Sequence, residues 1–199
     1  MLTVLTMQRA QRGVSLIELM VGISVLAVLL VAGLPSFNNW LQNSQIRTTA
    51  EALQNGLNVA RSEGVRRNTT VRFQLTSTAD SSCALSTTVP NWVVSLDDPS
   101  GACDSAASDT TAPRIIQTRI AAEGTANAVV AASQSAVVFN GLGRITPVPA
   151  ANITIDISNP TGGACATAGP MSCLRVVISP GGQVRMCNPG FASTDPQGC

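Results

Sequence analysis

Glu18 is the residue in this chain whose position most needs a chemical explanation. It interrupts an apolar run, VSLIELMVGISVLAVLLVAGL, that extends from Val14 to Leu34. A carboxylate at the centre of a membrane span costs roughly 2.5–3.5 kcal/mol on insertion scales, and less near an interface. Such a group needs a partner. The natural one is a free α-amino group, which cleavage after Gly13 would create at Val14. The chemistry that residues 13–18 could offer is an ion pair, not turnover.

Other catalytic arrangements lack their parts. The chain has no His, which removes Ser-His-Asp and Cys-His arrangements and imidazole metal sites. All twelve basic residues are Arg. Without Lys there is no Walker-type phosphate loop and no Schiff-base chemistry. A structural or binding protein is expected rather than an enzyme, with no cofactor and no metal. The formal net charge is +1. Removal of Arg9 and Arg12 with residues 1–13 would leave ten Arg against eleven acids. Bulk charge therefore gives no sign of nucleic-acid binding.

Six cysteines, Cys83, Cys103, Cys165, Cys173, Cys187 and Cys199, all follow the apolar run. None forms a C-x-x-C pair, so zinc and redox readings are weak. Disulfides in an oxidising compartment such as the periplasm fit better. Fifteen full pairings are available, and neighbours in sequence (83–103, 165–173, 187–199) are favoured. Asp97, Asp98, Asp104 and Asp109 suggest a calcium loop by composition. Their spacing follows no calcium template, and the surrounding Pro and Ser favour an exposed turn.

Several elements must position these groups. Residues 1–13 read as a short leader with no apolar core and no A-x-A site, unlike a secretory signal. Val14 to Leu34, 21 residues at ~1.5 Å each, is long enough to cross a bilayer core of about 30 Å. Arg9 and Arg12 just before the span predict a cytoplasmic leader and an outward-facing remainder. Beyond Pro35, which should bend or locally unwind the helix, residues 35–64 continue as an amphipathic helix. Ile46, Ala50, Leu53, Leu57, Ala60 and Gly64 line one face, and Arg47, Glu51, Asn55, Asn58 and Glu63 the other. Residues 65–199 read as a β-rich domain. Its expected strands are Val71–Leu75, Trp92–Leu96, Arg114–Ile120, Ala136–Asn140, Ile153–Ile157, Leu174–Ser179 and Gln183–Cys187. Trp92 is expected in the core, and Asp97–Pro113 as an exposed polar loop.

Gly13-Val-Ser-Leu-Ile-Glu-Leu19, the apolar helix and Pro35 together resemble a type IV pilin precursor. Counted from Val14, Glu18 is the fifth residue and Pro35 the twenty-second, where pilins and type II secretion pseudopilins carry their glutamate and proline. Val14 departs from the usual Phe or Met. Leu53–Asn68, Asn91–Leu96, Val138–Arg144 and Leu174–Cys187 narrow the resemblance to the GspH/FimT/FimU group of minor subunits. The resemblance implies an α+β pilin-like fold, a long helix packed on an antiparallel β-sheet domain. It implies a prepilin peptidase that cuts after Gly13 and methylates Val14, and Glu18 pairing with a neighbouring subunit's N-terminus. Implied partners are major and minor pilins, the assembly platform and the inner membrane, with the C-terminal domain in the periplasm. A loop tied by Cys187–Cys199 would resemble the disulfide-bounded C-terminal regions of pilins.

Three roles follow: a minor pilin priming a type IV pilus or sitting near its tip, a GspH-type pseudopilin of type II secretion, or a DNA-binding FimT-like pilin. Some FimT proteins carry G-R-x-R near the last strand. Here the stretch is Gly182-Gln183-Val184-Arg185, so Gln183 removes one charge and leaves Arg185, Arg175 and Arg144 as candidate DNA contacts. Solvated strand-end arginines are the simpler reading. Gly13→Ala is predicted to leave the precursor at full mass by mass spectrometry. Glu18→Ala should be processed yet be missing from sheared filaments; its normal incorporation would sink the pairing idea.

Overall fold

The computed structural model describes residues 13–121 and 125–199, apart from the side chains of 32–35. All but Gly13 of the expected leader, and the side chain of Pro35, lie outside the described residues; the backbone at Pro35 is helical, without the expected local unwinding. The chain forms two units, Met1–Asn38 and Asn39–Cys199. One helix, α1 (Leu16–Arg67), contributes to both.

In the first unit every described side chain from Val14 to Val31 is exposed. A helix that is apolar all round and covered by nothing belongs in lipid or among other helices. It is long and apolar enough to cross a membrane. Ser24 sits inside this stretch without conflict. Its hydroxyl donates to the carbonyls of Met20 and Val21, each at 2.9 Å, so no polar group is left for the hydrocarbon to solvate.

In the second unit the predicted stripe is the buried one. Ile46, Ala50, Leu53, Leu57 and Ala60 are each fully buried. Gly64 was expected to close the helix, but α1 continues to Arg67. Gly64 serves close approach instead, because a Cβ there would stand 3.1 Å from the Asn140 carbonyl oxygen. The helix stops where Asn68 takes a left-handed φ of 50° and the Thr69 amide returns to the Gly64 carbonyl at 3.2 Å.

Eight strands follow: β1 (Val71–Thr76), β2 (Asn91–Ser95), β3 (Ile115–Arg119), β4 (Val129–Ala132), β5 (Ala136–Phe139), β6 (Ile153–Ser158), β7 (Leu174–Ile178) and β8 (Val184–Cys187). They form two antiparallel sheets, β3-β2-β1-β5 and β4-β6-β7-β8. Strand β4 was absent from the sequence reading. Its Val-Val-Ala-Ala is short and weakly alternating, and pairing with β6 makes it a strand. Alternation sends Phe73, Leu75, Trp92 and Val94 of the first sheet, and Ile153, Ile155, Ile157, Val176 and Ile178 of the second, into one core with the α1 stripe. Trp92 takes its predicted core place, 5.6 Å from Phe73 between ring centroids.

Two glycine contacts set how closely the pieces fit. A Cβ at Gly56 would lie 2.8 Å from Phe73 Cε2 and 2.9 Å from Trp92 Cζ2. Both rings are buried, so neither can swing aside. Gly182, at φ 84°, rests on the Gly143 carbonyl and locks the β7–β8 hairpin turn to the turn after β5. Gly56→Ala should lose about 1–2 kcal/mol, because overpacking of about 1–3 kcal/mol outweighs a helix gain of up to about 1 kcal/mol. Urea unfolding should show a lower midpoint for it, while Asn55→Ala on the exposed face should not fall.

Candidate functional site

The processing junction lies in non-helical backbone, Gly13 to Ser15, immediately before α1. Val14 is 68% exposed there. Ser15 caps the helix: the Glu18 amide donates to Ser15 Oγ at 3.2 Å, and the Leu19 amide donates to the Ser15 carbonyl at 3.1 Å. Ser15-x-x-Glu18 has the spacing of a capping box. The same spacing stands in the sequence, so the cap is encoded locally. An acidic side chain in the first turn gains about 0.3–1 kcal/mol from the helix dipole. This offsets only part of a membrane penalty of roughly 2.5–3.5 kcal/mol at depth, so the need for a partner remains.

The three candidate basic residues do not act on one point. Arg175 on β7 faces Asp156 on β6, and its Nε donates to Asp156 Oδ1 at 2.6 Å. Its charge is met within the sheet. Arg185 on β8 is exposed and its Nη2 donates to the Cys199 carbonyl at 3.5 Å. Arg144 is exposed in the turn after β5, its amide held by Asn140 Oδ1 at 3.1 Å. A phosphate-binding surface built from all three would first have to release Arg175 from Asp156.

The cysteines join as Cys83–Cys103, Cys165–Cys173 and Cys187–Cys199. The first closes a loop over the outer face of β2, where Cys83, Val93, Cys103 and Ile115 form a small second core. Asp97 and Asp98 lie within that loop, and Asp104 and Asp109 in the segment that follows it to Pro113. Asp97 accepts from Arg114 Nε at 2.7 Å and Nη2 at 2.6 Å, and Asp98 accepts from the Ser100 hydroxyl at 2.7 Å and amide at 3.1 Å. Asp109 meets Arg67 Nη1 at 2.6 Å. These aspartates hold the loop to the helix end and to itself. The loop is therefore tied down rather than simply exposed, with Pro99, Cys103 and Pro113 buried.

The matches to known families bracket these features. Residues 49–182 match the family described as type II transport protein GspH. The chain belongs to the GspH family. Residues 8–34 match the prokaryotic N-terminal methylation motif, which takes in Gly13, Val14 and Glu18. None of the curated proteins matches the chain. Two crystal structures of the Pseudomonas aeruginosa (strain PAO1) type IV minor pilin FimU are similar to it, both at 15% identity. One covers 80% of this chain and 98% of its own at a TM-score of 0.49. The other covers 77% and 98% at 0.44.

The GspH match ends at Gly182. Arg185 and the disulfide-closed tail of this GspH-family chain therefore lie beyond it. Within the match, Glu63 has its carboxyl held below the usual range by hydrogen bonds from Arg66 and then Arg67. Arg114 does the same for Asp97, and Ser100 for Asp98. A depressed folded-state pKa gives stability that is present above the unfolded value and lost as pH falls through the folded one. Chemical denaturation should thus show stability declining below about pH 4.5, where unfolded carboxylates begin to protonate. Glu63→Gln should flatten part of that decline; an unchanged profile would exclude Glu63 from it.

Proposed function

We propose that this protein is a minor subunit of a type IV pilus and acts without catalytic chemistry of its own. It is held in the inner membrane by Val14–Leu34, with its second unit in the periplasm. Prepilin peptidase cuts between Gly13 and Val14 and methylates the new amine. The observation that carries the reading is the capped start of α1. An exposed, non-helical junction leads directly into a helix with Glu18 in its first turn and an uncovered apolar surface behind it. Cleavage there supplies the cation that Glu18 requires, and a neighbouring subunit's helix supplies the cover. Partners are then other pilins, major and minor, and the assembly platform at the membrane.

The choice of pilus over secretion rests on the region past the GspH match. Cys187–Cys199 closes a tail in which the Asn188 amide donates to the Gln197 carbonyl at 2.7 Å. A closed C-terminal loop of this kind suits an exposed filament surface or tip. The family's description favours a pseudopilin of type II secretion as the second reading. DNA binding is the weakest of the three, because Arg175 is paired and Gln183 is neutral. A gene deletion scored separately for twitching, secretion and transformation discriminates them. Loss of twitching, restored by the intact gene and not by Glu18→Ala, is the expected result. Loss of secretion alone would overturn the pilus assignment.

A further inference from the structure

Trp40 is 64% exposed, the most exposed aromatic side chain among the described residues. It begins a groove that lies wholly within the second unit. Trp40 and Arg47 share a face of α1, and across from them stand Ser172 and Leu174, enclosing a cavity of about 340 Å³. Arg47, Ser172 and Leu174 also border an adjoining cavity of about 450 Å³, whose far wall is Met186 and Phe191. The two cavities make one channel. Its walls mix apolar side chains, Leu174, Met186 and a 45% exposed Phe191, with polar ones, Asn43, Ser44 and Gln197, around Arg47. Phe191 is fixed there by the loop that Cys187–Cys199 closes.

The chain itself says what lies near this groove. Trp40 follows Leu34 by six residues, so at most about 22 Å of chain separates it from the apolar span in any conformation. Aromatic side chains concentrate at the level of lipid headgroups, with the ring in the interface and the polar edge wet. A guanidinium matches a phosphate in shape and charge. Arg47 Nε donates to Glu51 at 2.9 Å, but both side chains are largely exposed, 73% and 51%, so this pair holds it weakly.

We propose that the groove seats the headgroup end of a phospholipid from the outward-facing leaflet while the subunit is stored in the membrane. Arg47 takes the phosphate. Trp40 and Leu174 cover the glycerol and the first methylenes, and Met186 and Phe191 line the groove beyond the phosphate. The assignment rests on reading Val14–Leu34 as a membrane span.

The test uses the full chain in nanodiscs of phosphatidylethanolamine and phosphatidylglycerol. The chain has two tryptophans and Trp92 is buried, so the emission lost in Trp40→Phe is the share of Trp40. That share should be quenched strongly by lipids brominated near the headgroup, less by lipids brominated deep in the chain, and little by aqueous acrylamide. Arg47→Glu and Phe191→Ala should each weaken the lipid quenching. Free access of acrylamide with no lipid quenching would overturn the proposal. So would lipid quenching that both variants leave unchanged, since Trp40 would then be an interfacial anchor beside an empty groove. Shielding that grows with the number of copies per disc, without lipid quenching, would assign the groove to a second protein subunit instead. Failure of the chain to float with vesicles would remove the membrane span itself, a result separate from all of these.

Discussion

Burial of one face of α1 against two sheets is the contact on which the second unit depends. Five side chains, Ile46 through Ala60, recur at helical spacing and meet inward-facing residues from both sheets. Among the described residues the two sheets share no strand pairing, and the helix packs against inward-facing residues of both. Fully burying Ile46, Leu53 or Leu57 is worth roughly 1.5–3 kcal/mol each before entropy is charged against them, and the two alanines less. The closest approach falls at Gly56, where two core rings occupy the space a side chain would need. Larger residues on this face would separate the helix from β1 and β2 and loosen both sheets at once.

The same helix is asked to satisfy two solvents. In its second half it has a wet face and a buried face; in its first half it is apolar on all sides. Those halves were legible because they are matters of local composition and period. So were most strands. Legibility failed where structure depends on distant partners. Strand β4 is made by β6, and the end of α1 by the turn after β5, which needs Gly64 to be bare. The pairing of Arg175 with Asp156 depends on strand register across 19 positions of sequence, which no local pattern encodes.

The capping of α1 by Ser15 is a different kind of miss, since its signal was local. Its consequence is mechanical. A cap fixes where the helix begins, and so places Val14 outside the helix with its peptide bond accessible. It also sets Glu18 in the first turn, where the dipole supports the carboxylate without neutralising it. A helix that began earlier would draw Gly13 and Val14 into its own hydrogen bonds. One short stretch of backbone thus sets both where the helix begins and where Glu18 stands on it.

The disulfides divide along the same line between holding and presenting. Cys83–Cys103 is buried and closes a loop over β2, adding a second small core that neither helix nor second sheet reaches. Cys187–Cys199 closes a tail with no strand of its own beyond a bridge from Asn188 to Gly198. Without that closure, the entropy of a tail rich in Gly and Pro would keep Phe191 from any fixed place. With it, an aromatic side chain is set opposite Leu174 and Arg47 across the groove. The covalent bond therefore does for the C-terminal loop what packing does for the helix. It turns a sequence with little power to fold alone into one wall of a defined surface.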